Sequence, residues 1–167
     1  QEHSSAASDV YKRQVKELLD QGGRLEEAVS EEIANHRQTK GKYIPGFGHR
    51  FHKPEDPRAP RLMKLVSDAE GDKIVSGNFM RIGLEIQKQL SQGKSTGIAM
   101  NIDGATAVIF GELGFAPPLA RGLFCLSRSV GILAHAWEQK NQGGRNKGPT
   151  PPEFLWNYSG KNPLEEG

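Results

Sequence analysis

An all-α fold is predicted for this chain of 167 residues, and three observations predict it. Apolar residues recur at three- and four-residue spacing through most of the chain, apolar–polar alternation is scarce, and Gly or Pro breaks fall where the helical runs stop. Only Gly97 to Met100 reads as a brief extended piece. With 35% hydrophobic and 25% charged residues the chain has the composition of a globular protein able to bury a core.

Residues 1–14 are polar and without periodicity, so they are read as a leader that is disordered or foreign to the gene, the run Asp9 to Gln14 above all. From Val15 to Lys40, the set Val15, Leu18 and Leu19 and the set Leu25, Val29 and Ile33 predict two helices separated by Gly22-Gly23. The stretch Gly41 to Pro60 is dense in Gly, Pro and His and reads as an ordered loop, the first functional candidate. Leu62, Leu65 and Val66 start the next helical pattern, and Ile74, Phe79, Ile82, Leu84, Ile86 and Leu90 carry another to a C-cap at Gly93. Asn101-Ile102-Asp103-Gly104 precedes the apolar run Ala105, Val108, Ile109, Phe110 and Leu113, which places Asp103 at a helix start. Pro117 and Pro118, tolerated in a first turn, open a long helix through Leu123, Leu126, Val130, Leu133 and Trp137 to about Gln139. Beyond it, Gly143-Gly144 and Pro149, Pro151 and Pro152 mark an irregular tail, with Phe154, Trp156 and Tyr158 as anchoring aromatics.

The net charge of +2, with basic and acidic residues interspersed, leaves no basic stripe, so nucleic acid is not an expected partner; a phosphate-bearing small molecule stays open. One cysteine, Cys125, excludes a disulfide framework and a cysteine metal site, and fits a reducing compartment. No run of 18 apolar residues and no signal-like N-terminal stretch occur in the sequence, so no membrane association is expected and a cytoplasmic location is the default reading.

The chemistry concentrates in Ile44-Pro45-Gly46-Phe47-Gly48-His49-Arg50, followed by Lys53 and Asp56-Pro57-Arg58. Glycines let backbone approach a ligand, His49 can donate near neutral pH, and Lys53 and Arg58 suit phosphate or carboxylate, the arginine through its bidentate fork. A lone His or Arg in a loop is more often simply solvated; their joint occurrence points to an anionic substrate. His52 and Asp56 lack a well-spaced third ligand, so no metal is expected. His36, on a charged helix face, and His135 read as structural, Cys125 reads as helix core beside Leu123, Phe124 and Leu126, and Glu26, Glu27, Glu31 and Glu32 read as a solvated face.

Pro45-Gly46-Phe47-Gly48-His49 with Asp56-Pro57-Arg58 resembles the signature loop of citrate synthases. Asn101-Ile102-Asp103-Gly104 is similar to that family's catalytic Asn-x-Asp segment, and the run Ser127 to His135 ahead of Glu138-Gln139 follows in family order. The resemblance runs from about Leu25 to Gln139 and implies a mainly helical citrate-synthase-like fold. Residues 15–110 would form the small domain carrying the CoA and oxaloacetate loop, and 111–167 would return to a large domain whose N-terminal part is not in this chain.

Position by position, the resemblance implies Asp103 as the base that takes a methyl proton from acetyl-CoA. Such a carbon acid lies about ten pKa units above a carboxylate, roughly 14 kcal/mol, so donors must stabilise the enolate. The family's thioester-binding histidine lies in an earlier segment, not found here. His49 would bind the oxaloacetate carbonyl, Arg58 and Arg128 would hold carboxylates, and Arg145 would stand in for a C-terminal arginine whose place Glu153 occupies. Pro45, Gly46, Phe47 and Gly48 would contact CoA by their backbone, Lys53 would meet its phosphate, and Asn101 would shape the loop that aims Asp103. The implied activity makes or breaks the carbon–carbon bond between acetyl-CoA and oxaloacetate, with the CoA thioester as substrate, no further cofactor, and a homodimer as the working assembly. A citryl-CoA lyase, which Gln139 to Pro149 resembles more closely, a 2-methylcitrate synthase, and a noncatalytic CoA-binding remnant are the alternatives.

Overall fold

Six helices succeed one another in the computed structural model, which describes residues 5–20, 22–49 and 55–143: α1 (Ser5–Asp20), α2 (Leu25–Thr39), α3 (Arg58–Gly71), α4 (Asn78–Ser91), α5 (Ile102–Glu112) and α6 (Pro117–Asn141). Among the described residues there is no strand; the extended pairing is one antiparallel bridge, Phe47 with Met100. The all-α reading and the helix order therefore hold. The chain divides into two units with the boundary between Arg128 and Ser129.

In the first unit, α1, α2, α4 and α5 pack on one another and α3 packs on α5. α4 shows why: Phe79, Ile82, Ile86 and Leu90 recur every three or four residues, fall on one face, and are buried. Full burial of Ile82 and Ile86 stabilises by about 1.5–3 kcal/mol each. Two apolar clusters result, one around Val15, Val29, Ile33, Ile44 and Ile86, the other around Val66, Phe79, Met100, Ala105 and Val108. Phe47 packs against both, so the glycine-rich loop is pinned where the two cores meet.

Glu112, at the end of α5, caps the start of α4. One carboxylate oxygen accepts from Phe79 N at 2.7 Å and Met80 N at 3.2 Å, the other from Gly77 N and Ser76 Oγ, each at 3.0 Å. A negative charge at the positive end of the helix dipole supplies the cap that α4 lacks locally.

The structure corrects several expectations. α1 begins at Ser5, so most of the stretch read as an irregular leader is helical. Its Ala, Lys, Arg and Gln are good helix formers that continue the turn set by Val15, Leu18 and Leu19, and the Lys12 ammonium is buried, donating to Gly104 O at 2.7 Å. Ile74 and Leu84, counted with the apolar face of α4, are exposed, because Ile74 precedes the helix and Leu84 lies off its buried face. Glu32 is buried rather than solvated, and His36, read as structural on a charged face, is buried beside it, since α2 turns that side toward the core. His36 Nε2 donates to the Tyr43 carbonyl at 3.2 Å, and burial, first among the causes, pushes its pKa down. Cys125 and Leu126 are exposed rather than core, as among the described residues no helix packs extensively on this part of α6. In the second unit Val130, Ile132, Leu133 and Trp137 are exposed, and His135 Nδ1 lies 3.6 Å from the Glu138 carboxylate. The expected anchoring aromatics Phe154, Trp156 and Tyr158 lie outside the described residues.

Candidate active site

Asn101 organises the site. Its backbone is extended, its side-chain oxygen accepts from Asp103 N at 2.9 Å and Gly104 N at 3.2 Å, and it thereby N-caps α5. The same side chain donates through Nδ2 to Gly48 O at 2.8 Å, while its own N–H donates to Gly46 O at 3.0 Å. Gly48 N completes the seam on Ala99 O at 2.7 Å. One residue thus fixes the first turn carrying Asp103 against the loop segment that leads to His49.

That seam needs glycine. Gly46 and Gly48 have φ of 86° and 78°, in the left-handed region where side chains are disfavoured. Gly104 is buried against the loop: a Cβ there would run into the Gly46 carbonyl oxygen and lie 2.7 Å from Met100 Cγ. Pro45 and Gly46 are buried, while Phe47, Gly48 and His49 are half-buried and so remain accessible from one side.

Arg58 opens α3 and leans on Asp56. Its Nε donates to Asp56 Oδ1 at 2.9 Å and its Nη2 to Oδ2 at 2.8 Å, with the Arg58 side chain 44% exposed and that of Asp56 fully buried. Oδ2 also accepts from Ile102 N at 3.2 Å, the residue before Asp103. The Arg58 hydrogen bonds, before any other cause, hold the Asp56 pKa down to about 2. Arg58 is in turn held more firmly protonated, first by Asp56 and further by the charge of Asp103, which places the Asp103 carboxylate within electrostatic reach of the guanidinium.

Of the expected site residues, the structure brings together Pro45, Gly46, Phe47, Gly48, His49, Arg58, Asn101 and Asp103. Arg128 is exposed on α6 with its guanidinium 5.0 Å from the Phe124 ring centroid. Lys53 and Arg145 lie outside the described residues. Asp56, weighed in the sequence only as a partner of His52 for a metal, is instead the counter-ion of Arg58, a pairing that the Asp-Pro-Arg spacing at a helix start could have signalled. Among the described residues no group of three or more His, Cys, Asp or Glu is placed to hold a metal ion.

A groove of about 400 Å³ runs beside the loop, lined by Arg37, Lys42, Tyr43, Ile44, Phe47, Leu90, Lys94 and Ile98. Its floor is apolar and its rim carries three cations from α2, the loop and the turn after α4. No sequence signal groups Arg37, Lys42 and Lys94, because they converge only after α2 and α4 pack. Together these contacts set Asp103 in the first turn of α5, hold the loop bearing His49 against that turn, pair Arg58 with Asp56, and bring three cations to one groove.

The sequence model of the family described as "Citrate synthase, C-terminal domain" matches residues 2–149. The chain is 29% identical over 140 residues to citrate synthase of Acidithiobacillus ferridurans, covering 83% of this chain and 36% of that protein. With citrate synthase of Saccharolobus solfataricus it shares 28% identity over 137 residues, 81% of this chain and 35% of the relative. The chain spans about a third of the length of these curated relatives. Among solved structures, citryl-CoA lyase from Hydrogenobacter thermophilus superposes with a TM-score of 0.65 at 29% identity, covering 96% of this chain and 59% of the lyase. Citrate synthase from Thermotoga maritima gives a TM-score of 0.62 at 27% identity, covering 96% and 42%.

Proposed function

Because this chain belongs to the citrate synthase family, which its match over residues 2–149 shows, we propose that it forms part of an enzyme joining acetyl-CoA to oxaloacetate. The observation that carries the proposal is the double role of Asn101, which caps the turn bearing Asp103 with its oxygen and holds the Gly48 carbonyl beside His49 with its nitrogen. Base and carbonyl-binding group are thereby fixed to one another before substrate arrives.

In this reading the Asp103 carboxylate takes a proton from the methyl carbon of acetyl-CoA. The resulting enolate carbon attacks the keto carbon of oxaloacetate, forming the carbon–carbon bond, and the keto oxygen becomes an alkoxide that takes a proton at the His49 ring. A positioned acid or base of this kind contributes about 10²- to 10⁴-fold. Arg58 holds an oxaloacetate carboxylate and opposes its charge. The donor to the thioester oxygen comes from the part of the family architecture that these residues do not span. Hydrolysis of the citryl thioester by water then gives citrate and free CoA. Arg37, Lys42 and Lys94 receive the phosphates of CoA along the groove beside the loop, with Lys53 as a further contact. Arg128 and Arg145 are the further candidates for holding substrate carboxylates. The chemistry needs no cofactor beyond the thioester.

The test uses the full-length protein that contains these residues. Free CoA released from acetyl-CoA plus oxaloacetate, and reduced at least about 100-fold in Asp103→Asn, is the expected result. Acetyl-CoA and oxaloacetate formed from citryl-CoA without thiol release would turn the reading into that of a lyase. Absence of turnover in both directions would leave a CoA-binding protein and sink the proposal.

A further inference from the structure

We propose that Asp56 is a positioning residue of this site: its buried carboxylate holds the guanidinium of Arg58 and the first turn of α5 in one fixed relation, aligning the carboxylate-binding cation with the base. The inference rests on the function proposed above. Asp56 is fully buried, and among the described residues each of its oxygens accepts twice. Oδ1 takes Arg58 N at 3.2 Å and Arg58 Nε at 2.9 Å; Oδ2 takes Arg58 Nη2 at 2.8 Å and Ile102 N at 3.2 Å. Four donors occupy the whole accepting capacity of the carboxylate, so it has no freedom to turn.

Two features separate this role from that of an ordinary helix cap. Capping α3 requires only the bond from Arg58 N, whereas the bond from Ile102 N reaches 46 residues along the chain to the turn that holds Asp103. In addition, Asp56 uses the Nε/Nη2 edge of the guanidinium, so that on a side chain 44% exposed the Nη1/Nη2 end edge is not taken by Asp56 and suits a second, bidentate carboxylate. A buried ion pair is weak evidence for stability, since apolar residues of the same volume commonly serve as well. What an apolar pair cannot do is fix the direction of a guanidinium relative to a helix start.

Steady-state kinetics of the full-length enzyme test the inference. Asp56→Asn keeps the shape but turns one acceptor into a donor. It is expected to raise KM for oxaloacetate at least about tenfold, as loss of a charge-assisted bond does, while CoA affinity changes less than about twofold. In an Arg58→Ala background the same change should raise KM by less than about twofold, because Asp56 acts through Arg58. Unaltered KM in Asp56→Asn, or a full tenfold effect persisting without Arg58, overturns the proposal. Should Asp56→Asn not fold, Asp56→Glu keeps the charge but shifts the carboxylate by one methylene, and wild-type KM in that variant overturns the proposal equally. An inactive wild type would refute the proposed function instead. Amide exchange of Ile102 to Gly104 then judges the link: faster exchange in Asp56→Asn upholds it and unchanged protection overturns it.

Discussion

Replacing Gly104 by alanine puts one methyl group between α5 and the glycine loop. Helix propensity alone favours the change by about 1 kcal/mol. Against it, the new Cβ would collide with the Gly46 carbonyl oxygen, lie 3.1 Å from the Gly46 carbonyl carbon and 2.7 Å from Met100 Cγ. Met100 can shift, but the carbonyl is backbone, so loop or helix must retreat by about 1 Å, which costs about 1–3 kcal/mol as overpacking. Retreat also stretches Asn101 N to Gly46 O and Asn101 Nδ2 to Gly48 O, at about 1 kcal/mol for each bond lost. The net expectation is a loss of about 2–4 kcal/mol in urea unfolding and a fall in kcat of about 100-fold, the usual consequence of a reacting group displaced by 1 Å. Gly122→Ala in α6 is the control: its Cβ would meet nothing within 4 Å, so stability should stay level or rise by up to about 1 kcal/mol. A Gly104→Ala enzyme with wild-type midpoint and wild-type turnover would refute the reasoning that the seam sets the site.

Further expectations concern the groups that hold the scaffold. Glu112→Ala should destabilise by about 1–2 kcal/mol, since four donors at the start of α4 lose their acceptor, with substrate KM unchanged. Asp56 has its folded pKa lowered from 3.8 to about 2, so its contribution is complete above the unfolded value and disappears as pH falls from about 4 to about 2. An acid titration of Asp56→Asn should accordingly lack about 2 kcal/mol of stability loss in that window. His36 has its folded pKa lowered by burial from 6.5, so the unfolded chain binds its proton first and stability declines as pH drops below about 6.5. His36→Gln, which retains a donor for Tyr43 O, should flatten the Tm profile between pH 7 and 5.

Much of the architecture was legible because its signals are local. Helix periodicity, the Gly22-Gly23 break, the proline start of α6 and the polar Asn101-Ile102-Asp103 cap are written within one or two turns of chain, and the structure places α1 to α6 around them. The glycine loop was legible for the same reason, positive φ at Gly46 and Gly48 being a property of residue type. The misreadings share a different cause. The charged look of Glu32, and the apolar look of Cys125 and Leu126, say nothing of which helix covers them; burial of the first and exposure of the other two are decided by packing.

Sequence by itself determined the all-α class, the helix order, and the residues that could do chemistry, because propensity, caps and side-chain type act over a few neighbouring residues. Tertiary structure alone decided that Asn101 would serve the loop as well as its own helix, that one Asp56 carboxylate would tie Arg58 to the turn of Asp103, and that Arg37, Lys42 and Lys94 would rim one groove. Those are hydrogen bonds and electrostatic fields between segments far apart along the chain. Their geometry exists only once Phe47 has been pinned between two cores and the helices have closed on it.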